Sequence, residues 1–413
     1  MPTTTARGFL ALTGLAGLLA SLFTATPTVA TAATAATAAT PAAPDTSATV
    51  VPAIDLAQLL DTALAESAAK VGDPGVQAVI LRDGRLVWSG KHGKAVDDPP
   101  TPVADDTLFG FASFSKLLLG TYALNQVEAG KLALDTPISA YIGDDVPGSD
   151  VVTLRMLLTH TGGYPDVYES PKLAALLPGG EQYEPGRPFT WQMIARALRP
   201  PVDPGKNFSY SNTGFLILTH MLSVRAGGDR ELTAAVNAFT ARAGSVVPED
   251  GKVLTMERKQ RDYPRFAHGY EYFPKQGRID MFTHFGDTGI PTDMFGLPWG
   301  DGLFAGTALG GAQFIDALYA RKGLLEPATL RAMITPTPQS IAAKDPYGMA
   351  SYRFEAGDRV WQGHAGAYGG FNTLGGTDLT RGVTMMVVAN NLGKDAADKI
   401  FARLARTYAS ATS

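Results

Sequence analysis

Strand-like sequence in this chain falls in two blocks that lie almost the whole folded length apart. Residues 75–81 and 86–89 are apolar, valine-rich runs on either side of Asp83-Gly84, a dipeptide suited to a tight hairpin turn, so the two runs are expected to pair antiparallel. The pattern returns at residues 360–362, 371–374 and 383–389, ahead of a last helical window over 395–408. Between the blocks strand signals are scarce. Windows such as 117–127, 193–198 and 213–225 carry helical spacing there, broken by Gly and Pro. These blocks predict an α/β (α+β) fold: one antiparallel sheet assembled from distant segments and flanked by helices, with a mostly helical region inserted.

Folded sequence is expected to begin near Ile54, where Ile54, Leu56, Leu59, Leu60, Ala63 and Leu64 recur at helical spacing up to Lys70. Before it, Arg7 precedes an uncharged, mostly apolar run over 9–23 and small residues up to Ala30-Thr31-Ala32. That pattern predicts a signal peptide over 1–32 and a secreted product, since the run is shorter than a bilayer span. Residues 33–53 repeat Ala, Thr and Pro and read as a spacer. The 413 residues are 45% hydrophobic and 18% charged, enough apolar content for a sizeable core. A formal net charge of -4 gives no basic footprint for nucleic acid or anionic lipid, so neither is expected as a main partner. The chain has no cysteine, which excludes disulfides, thiolate nucleophiles, cysteine-held zinc and a lipoprotein anchor; no membrane anchor is expected.

A serine hydroxyl attacks a carbonyl only with a base in reach. The GxSxG arrangement is absent, and SxxK, which sets hydroxyl and amine one helical turn apart, occurs twice. Ser67-Ala-Ala-Lys70 ends a superficial amphipathic helix, where a lysine is solvated and protonated. Ser113-Phe-Ser-Lys116 opens a window that is apolar nearly all round and therefore buried, where desolvation lets the amine accept a proton. Ser113 is thus the candidate nucleophile and Lys116 its proton partner. Tyr210-Ser211-Asn212 follows Pro204-Gly205 and Phe208. A Tyr and an Asn two apart in extended backbone point the same way, so a phenol for proton relay and an amide that holds the lysine and a substrate carbonyl can face one cleft.

With these residues in order, the chain resembles the serine β-lactamase and penicillin-binding protein superfamily, in the branch of class C β-lactamases, D-alanyl-D-alanine carboxypeptidases, D-aminopeptidases and related esterases. The likeness runs through Pro74-Gly75, Arg82-Asp83-Gly84, Asp106-Thr107-Leu108-Phe109, Ser113-Phe-Ser-Lys116, Gly130-Lys131-Leu132, Leu157-Leu158-Thr159-His160-Thr161-Gly162-Gly163, Pro204-Gly205 and Tyr210-Ser-Asn212 to a C-terminal His-x-Gly. It implies a β-lactamase/transpeptidase-like domain over 54–408, with an α/β part at 54–105 and 300–408 and a helical part at 106–299. HxG occurs at His160, His284 and His364; family order and the strand-like 360–362 favour His364-Ala-Gly366. The resemblance then implies Ser113, Lys116 and Tyr210 as catalytic residues and Asn212, His364, Gly366 and Ala367 as substrate-binding ones. The N–H groups of Ser113 and Ala367 would make an oxyanion hole, and Gly366 would let substrate backbone approach. His92, His160, His220 and His268 show no metal-ligand spacing and read as structural or surface residues, and no cofactor or metal is expected.

One departure bears on substrate. Carboxypeptidase-like relatives place Thr or Ser in the middle of the third motif, where a hydroxyl and a nearby arginine meet a free carboxylate; here that residue is Ala365, with Arg353 as a candidate cation. The implied activity is a two-step acyl transfer on a small-molecule or peptidoglycan-peptide substrate. It is D-alanyl-D-alanine carboxypeptidase-like first, with an esterase or D-aminopeptidase as the alternative and a non-catalytic penicillin-binding-type module as the reading from another class.

Overall fold

The computed structural model describes residues 55–176, 180–184, 190–243, 265–273, 277–281, 300–302, 304–392 and 395–412. The expected signal peptide and spacer, His284 and most of residues 244–299 lie outside them.

Six strands form the central sheet: β1 (Val76–Arg82), β2 (Arg85–His92), β3 (Tyr352–Ala356), β4 (Arg359–Tyr368), β5 (Phe371–Asp378) and β6 (Val383–Ala389). They lie in the order β2-β1-β6-β5-β4-β3, and every neighbouring pair is antiparallel. The β1–β2 hairpin turns on Asp83 and Gly84, both at positive φ (51° and 78°), as a two-residue turn that follows strand twist requires. The two distant blocks meet at β1 and β6, with Val76 opposite Ala389 and Arg82 opposite Val383.

The longer helices are α1 (Leu56–Lys70), α2 (Ser115–Glu128), α3 (Asn212–Ala226), α4 (Asp229–Ala241), α5 (Ala308–Ile315), α6 (Pro327–Ile334) and α7 (Ala396–Ala411). Strand alternation gives the sheet two apolar faces. On one, Val76, Ala78 and Ile80 of β1 and Met385 and Val387 of β6 pack with Leu60 and Leu64 of α1 and Ile400, Phe401 and Leu404 of α7. On the other, Val79, Leu81, Met386 and Val388 join the larger core around α2, α3, α4 and α5. Helices therefore cover both faces.

Apolar patterning ends the predicted strands at 362 and 374, whereas β4 runs to Tyr368 and β5 to Asp378. The extensions are rich in glycine because the two strands meet very closely: a Cβ on Gly363 would lie 1.9 Å from the Gly375 carbonyl oxygen. Strand β3, with Arg353 and Glu355 exposed on either side of buried Phe354, carries no apolar run, so the sequence pattern does not mark it.

Candidate active site

Ser113 lies in a short 3₁₀ turn, Ala112–Phe114, that leads into α2. Its neighbours hold it rigidly. Phe111 and Phe114 are fully buried, edge to face at 5.5 Å, the Phe111 N–H donates to the Phe304 carbonyl at 2.7 Å, and the Phe304 N–H donates to the Ser115 hydroxyl at 3.0 Å. Ala112 sits at φ 48°, a left-handed conformation that costs an L-residue about 1 kcal/mol or more. The serine side chain is left partly exposed between two buried anchors.

Lys116, one turn on, is fully buried. Its ammonium donates to Ser113 Oγ at 3.0 Å, to Asn212 Oδ1 at 2.8 Å and to the Asp301 carbonyl at 2.6 Å, one acceptor for each of its three protons. Burial lowers its pKa to about 8, against the pull of the Asp301 and Asp166 charges. The second SxxK differs on both counts: the Ser67 hydroxyl donates back to the Ala63 carbonyl of its own helix, and Lys70 is exposed.

Asn212 is the first residue of α3. Its side-chain NH₂ and its backbone N–H both donate to Asp166 Oδ2, at 2.9 and 3.1 Å, and this fixes the amide with its oxygen toward Lys116. Tyr210, two residues earlier, lies with its ring 5.1 Å from the Lys116 nitrogen. Its hydroxyl is buried without a partner at hydrogen-bonding geometry. Burial raises its pKa, and the nearby Ser113 hydroxyl offsets only part of that, so the phenol stays neutral and protonated.

Beneath Tyr210 lies His160, ring centroids 4.2 Å apart. Its Nδ1 accepts the Ser211 N–H at 3.1 Å, so the neutral ring carries its proton on Nε2; burial holds its pKa well below the usual value. This histidine is structural, and what it supports is the Tyr210–Asn212 segment. Among the other three, His92 pairs with Asp73, His268 with Asp280, and His220 stacks on Trp191 while facing Asp145. Among the described residues no group of three or more His, Asp or Glu gathers to hold a metal ion.

The third motif lies beside Ser113. A Cβ on Gly366 would lie 2.2 Å from the Phe111 carbonyl oxygen and 3.1 Å from the Ser113 nitrogen, so this glycine admits the loop that carries Ser113. His364 is 1% exposed. Its Nδ1–H donates to the Ala365 carbonyl at 2.5 Å and its Nε2 accepts from the Tyr347 hydroxyl at 3.1 Å, so both nitrogens are committed within the protein. Burial pushes its pKa down to about 3, which keeps it neutral. Ala365 pairs with Leu374 and packs toward the α1–α7 layer. Ala367 is exposed on the strand beside the serine loop. Arg353 is exposed and pairs in register with Gln362.

Three residues of the site carry no sequence signal. Asp301 acts through its main-chain oxygen, which no side-chain pattern encodes. Its carboxyl accepts from the Tyr168 hydroxyl at 3.0 Å, and burial raises its pKa to about 6. Asp166 lies in no motif, yet it sets the orientation of Asn212. Tyr347 becomes visible only once His364 is seen to need a donor.

A family model described as beta-lactamase matches residues 60–408. The chain belongs to the beta-lactamase family. Among curated proteins, this beta-lactamase family member is 33% identical over 124 residues to esterase EstB of Burkholderia gladioli, covering 29% of this chain and 32% of that protein. It is 28% identical over 165 residues to a putative D-alanyl-D-alanine carboxypeptidase of Escherichia coli strain K12, covering 36% and 37%. The matches thus span about a third of these relatives' length. In fold it is similar to D-amino acid amidase from Ochrobactrum anthropi SV3 complexed with D-phenylalanine, with a TM-score of 0.70 at 20% identity over 86% of this chain and 99% of that one.

Proposed function

We propose that this beta-lactamase family member hydrolyses an amide or ester through an acyl-enzyme on Ser113. The observation that carries the reading is the buried Lys116 ammonium, 3.0 Å from Ser113 Oγ and lowered to about 8. At that value about a tenth of the lysine is neutral at pH 7 and able to act as base. Ser113 Oγ then bonds to the substrate carbonyl carbon as its proton passes to Lys116, and the carbonyl electron pair moves onto oxygen. Collapse breaks the bond to the leaving nitrogen or oxygen. That atom takes up the proton through Tyr210, whose raised pKa suits it to relay a proton and not to act as a phenolate. Water repeats the sequence and frees the acid and Ser113, while Asn212 holds the lysine in line.

For substrate, an ester or amide without a free C-terminal carboxylate is favoured. The charges that act on Lys116 are the acids Asp301 and Asp166, which repel a carboxylate. The esterase relative is in keeping with this. The exposed Arg353 supports the second reading, a D-alanyl-D-alanine carboxypeptidase.

The test is incubation with a nitrophenyl ester, a D-alanyl-D-alanine peptide and labelled penicillin, wild type beside Ser113→Ala. We expect ester turnover that falls by at least about 10³-fold in the variant. Release of D-alanine without ester turnover would support the carboxypeptidase. Neither turnover nor Ser113-dependent labelling would leave a binding module and overturn the acyl-transfer reading.

A further inference from the structure

Far from Ser113 a cleft of about 1000 Å³ opens where the β1–β2 and β5–β6 turns meet α6 and the end of α7. Gly366 abuts the serine loop, whereas Arg359, which lines the cleft, opens the same strand about 23 Å away at about 3.3 Å per residue. The lining carries five cations, Arg82, Lys322, Arg331, Arg359 and Arg381, against one acid, Asp83. Arg359 and Arg381 share the buried Asp378 carboxylate, at 3.4 and 3.3 Å, and Arg82 faces Asp83 at 3.9 Å. Lys322 and Arg331 are exposed and have no ion pair among the described residues. Counting both acids, the cleft keeps an excess of positive charge in a chain whose formal net charge is -4. The lining also includes the apolar side chains of Leu330 and Ile334 and the ring of Tyr408. A cleft this large exceeds what one inorganic ion fills, and arginines recognise planar oxyanions by paired hydrogen bonds.

We infer that this cleft is a second ligand site, for a molecule with an apolar body bearing two or more phosphate or carboxylate groups. It stands independently of the acyl-transfer reading. It also qualifies what net charge suggested, because a locally basic surface can sit on an acidic protein.

Pyrene-1,3,6,8-tetrasulfonate, a fluorescent polyanion with a flat apolar body, probes the site directly on the full chain in about 150 mM salt, where nonspecific charge attraction is screened. We expect one saturable site, weakened at least about tenfold in a Lys322→Gln, Arg331→Gln double variant. Lys131→Gln, an exposed lysine elsewhere, and Ser113→Ala are expected to bind like wild type. Displacement by tripolyphosphate or by benzenehexacarboxylate tells a phosphate preference from a carboxylate one. No saturable binding, an unaffected double variant, or displacement by neither competitor would overturn the inference; because both substituted side chains are exposed, misfolding does not confuse the result.

Discussion

Lys116 satisfies three acceptors as an ammonium, yet the proposed chemistry needs it as an amine. Desolvation supplies the push toward the amine, and the acids Asp301 and Asp166 hold it back. The pH dependence follows. Turnover is expected to rise with pH and level off above about 8, and Asp166→Asn, by removing a charge that raises the lysine pKa, should move that rise to lower pH; a pH–rate profile of both proteins checks it. The same lysine leaves a mark on stability. Its pKa is about 8 in the folded protein and 10.5 for an unperturbed lysine, so between those values the unfolded chain binds more protons and stability rises with pH. Relative to Lys116→Met, wild type should therefore gain up to about 3 kcal/mol between pH 7 and 11, read from denaturant melts at each pH. At this scale the sequence was legible wherever a side chain met a side chain through a local repeat. The two SxxK matches were separable because one helix is apolar all round and the other is not. Asp301 was illegible because it contributes a carbonyl, and Asp166 because its partner lies 46 residues away.

At the level of elements, β4 does two jobs, since its first half pairs with β3 and its second half walls the serine loop. Gly366 is where the second job is fixed. Gly366→Ala sets a methyl 2.2 Å from a main-chain oxygen, and neither strand nor loop can yield without moving Ser113. We expect a loss of about 1–3 kcal/mol in thermal unfolding together with loss of ester turnover. The β1–β2 hairpin could be read from Asp83-Gly84, and β6 from its unbroken apolar run, because both express backbone rules that act within a few residues. The rest of β4 and β5 carries glycines demanded by distant neighbours, the facing strand at Gly363 and the serine loop at Gly366, and such a demand is written in the partner's position and not in the local pattern. The family order of motifs, more than the periodicity of this strand, pointed to His364-Ala-Gly366. There the buried histidine accepts from the Tyr347 hydroxyl.

Over the whole molecule, the described residues contain no helix long and apolar enough to cross a membrane. Export stands as a proposal from residues 1–32. Expression in a secreting host with the mature N-terminus read by mass spectrometry should give a start near Ala32, whereas an intact Met1 in the medium would argue against cleavage there. The sheet joins the far reaches of the chain: the Gly75 N–H donates to Asn390 Oδ1 at 2.7 Å across 315 residues of sequence. A chain emerging from the ribosome therefore makes Ser113, Lys116 and Tyr210 long before the strand that walls them exists. Nothing shorter than nearly the full domain can close the sheet, and folding has to wait for its most distant contacts. If Ser113 carries the proposed chemistry, a chain ended before residue 359 is expected to show no ester turnover, since it lacks the strand that walls the serine loop.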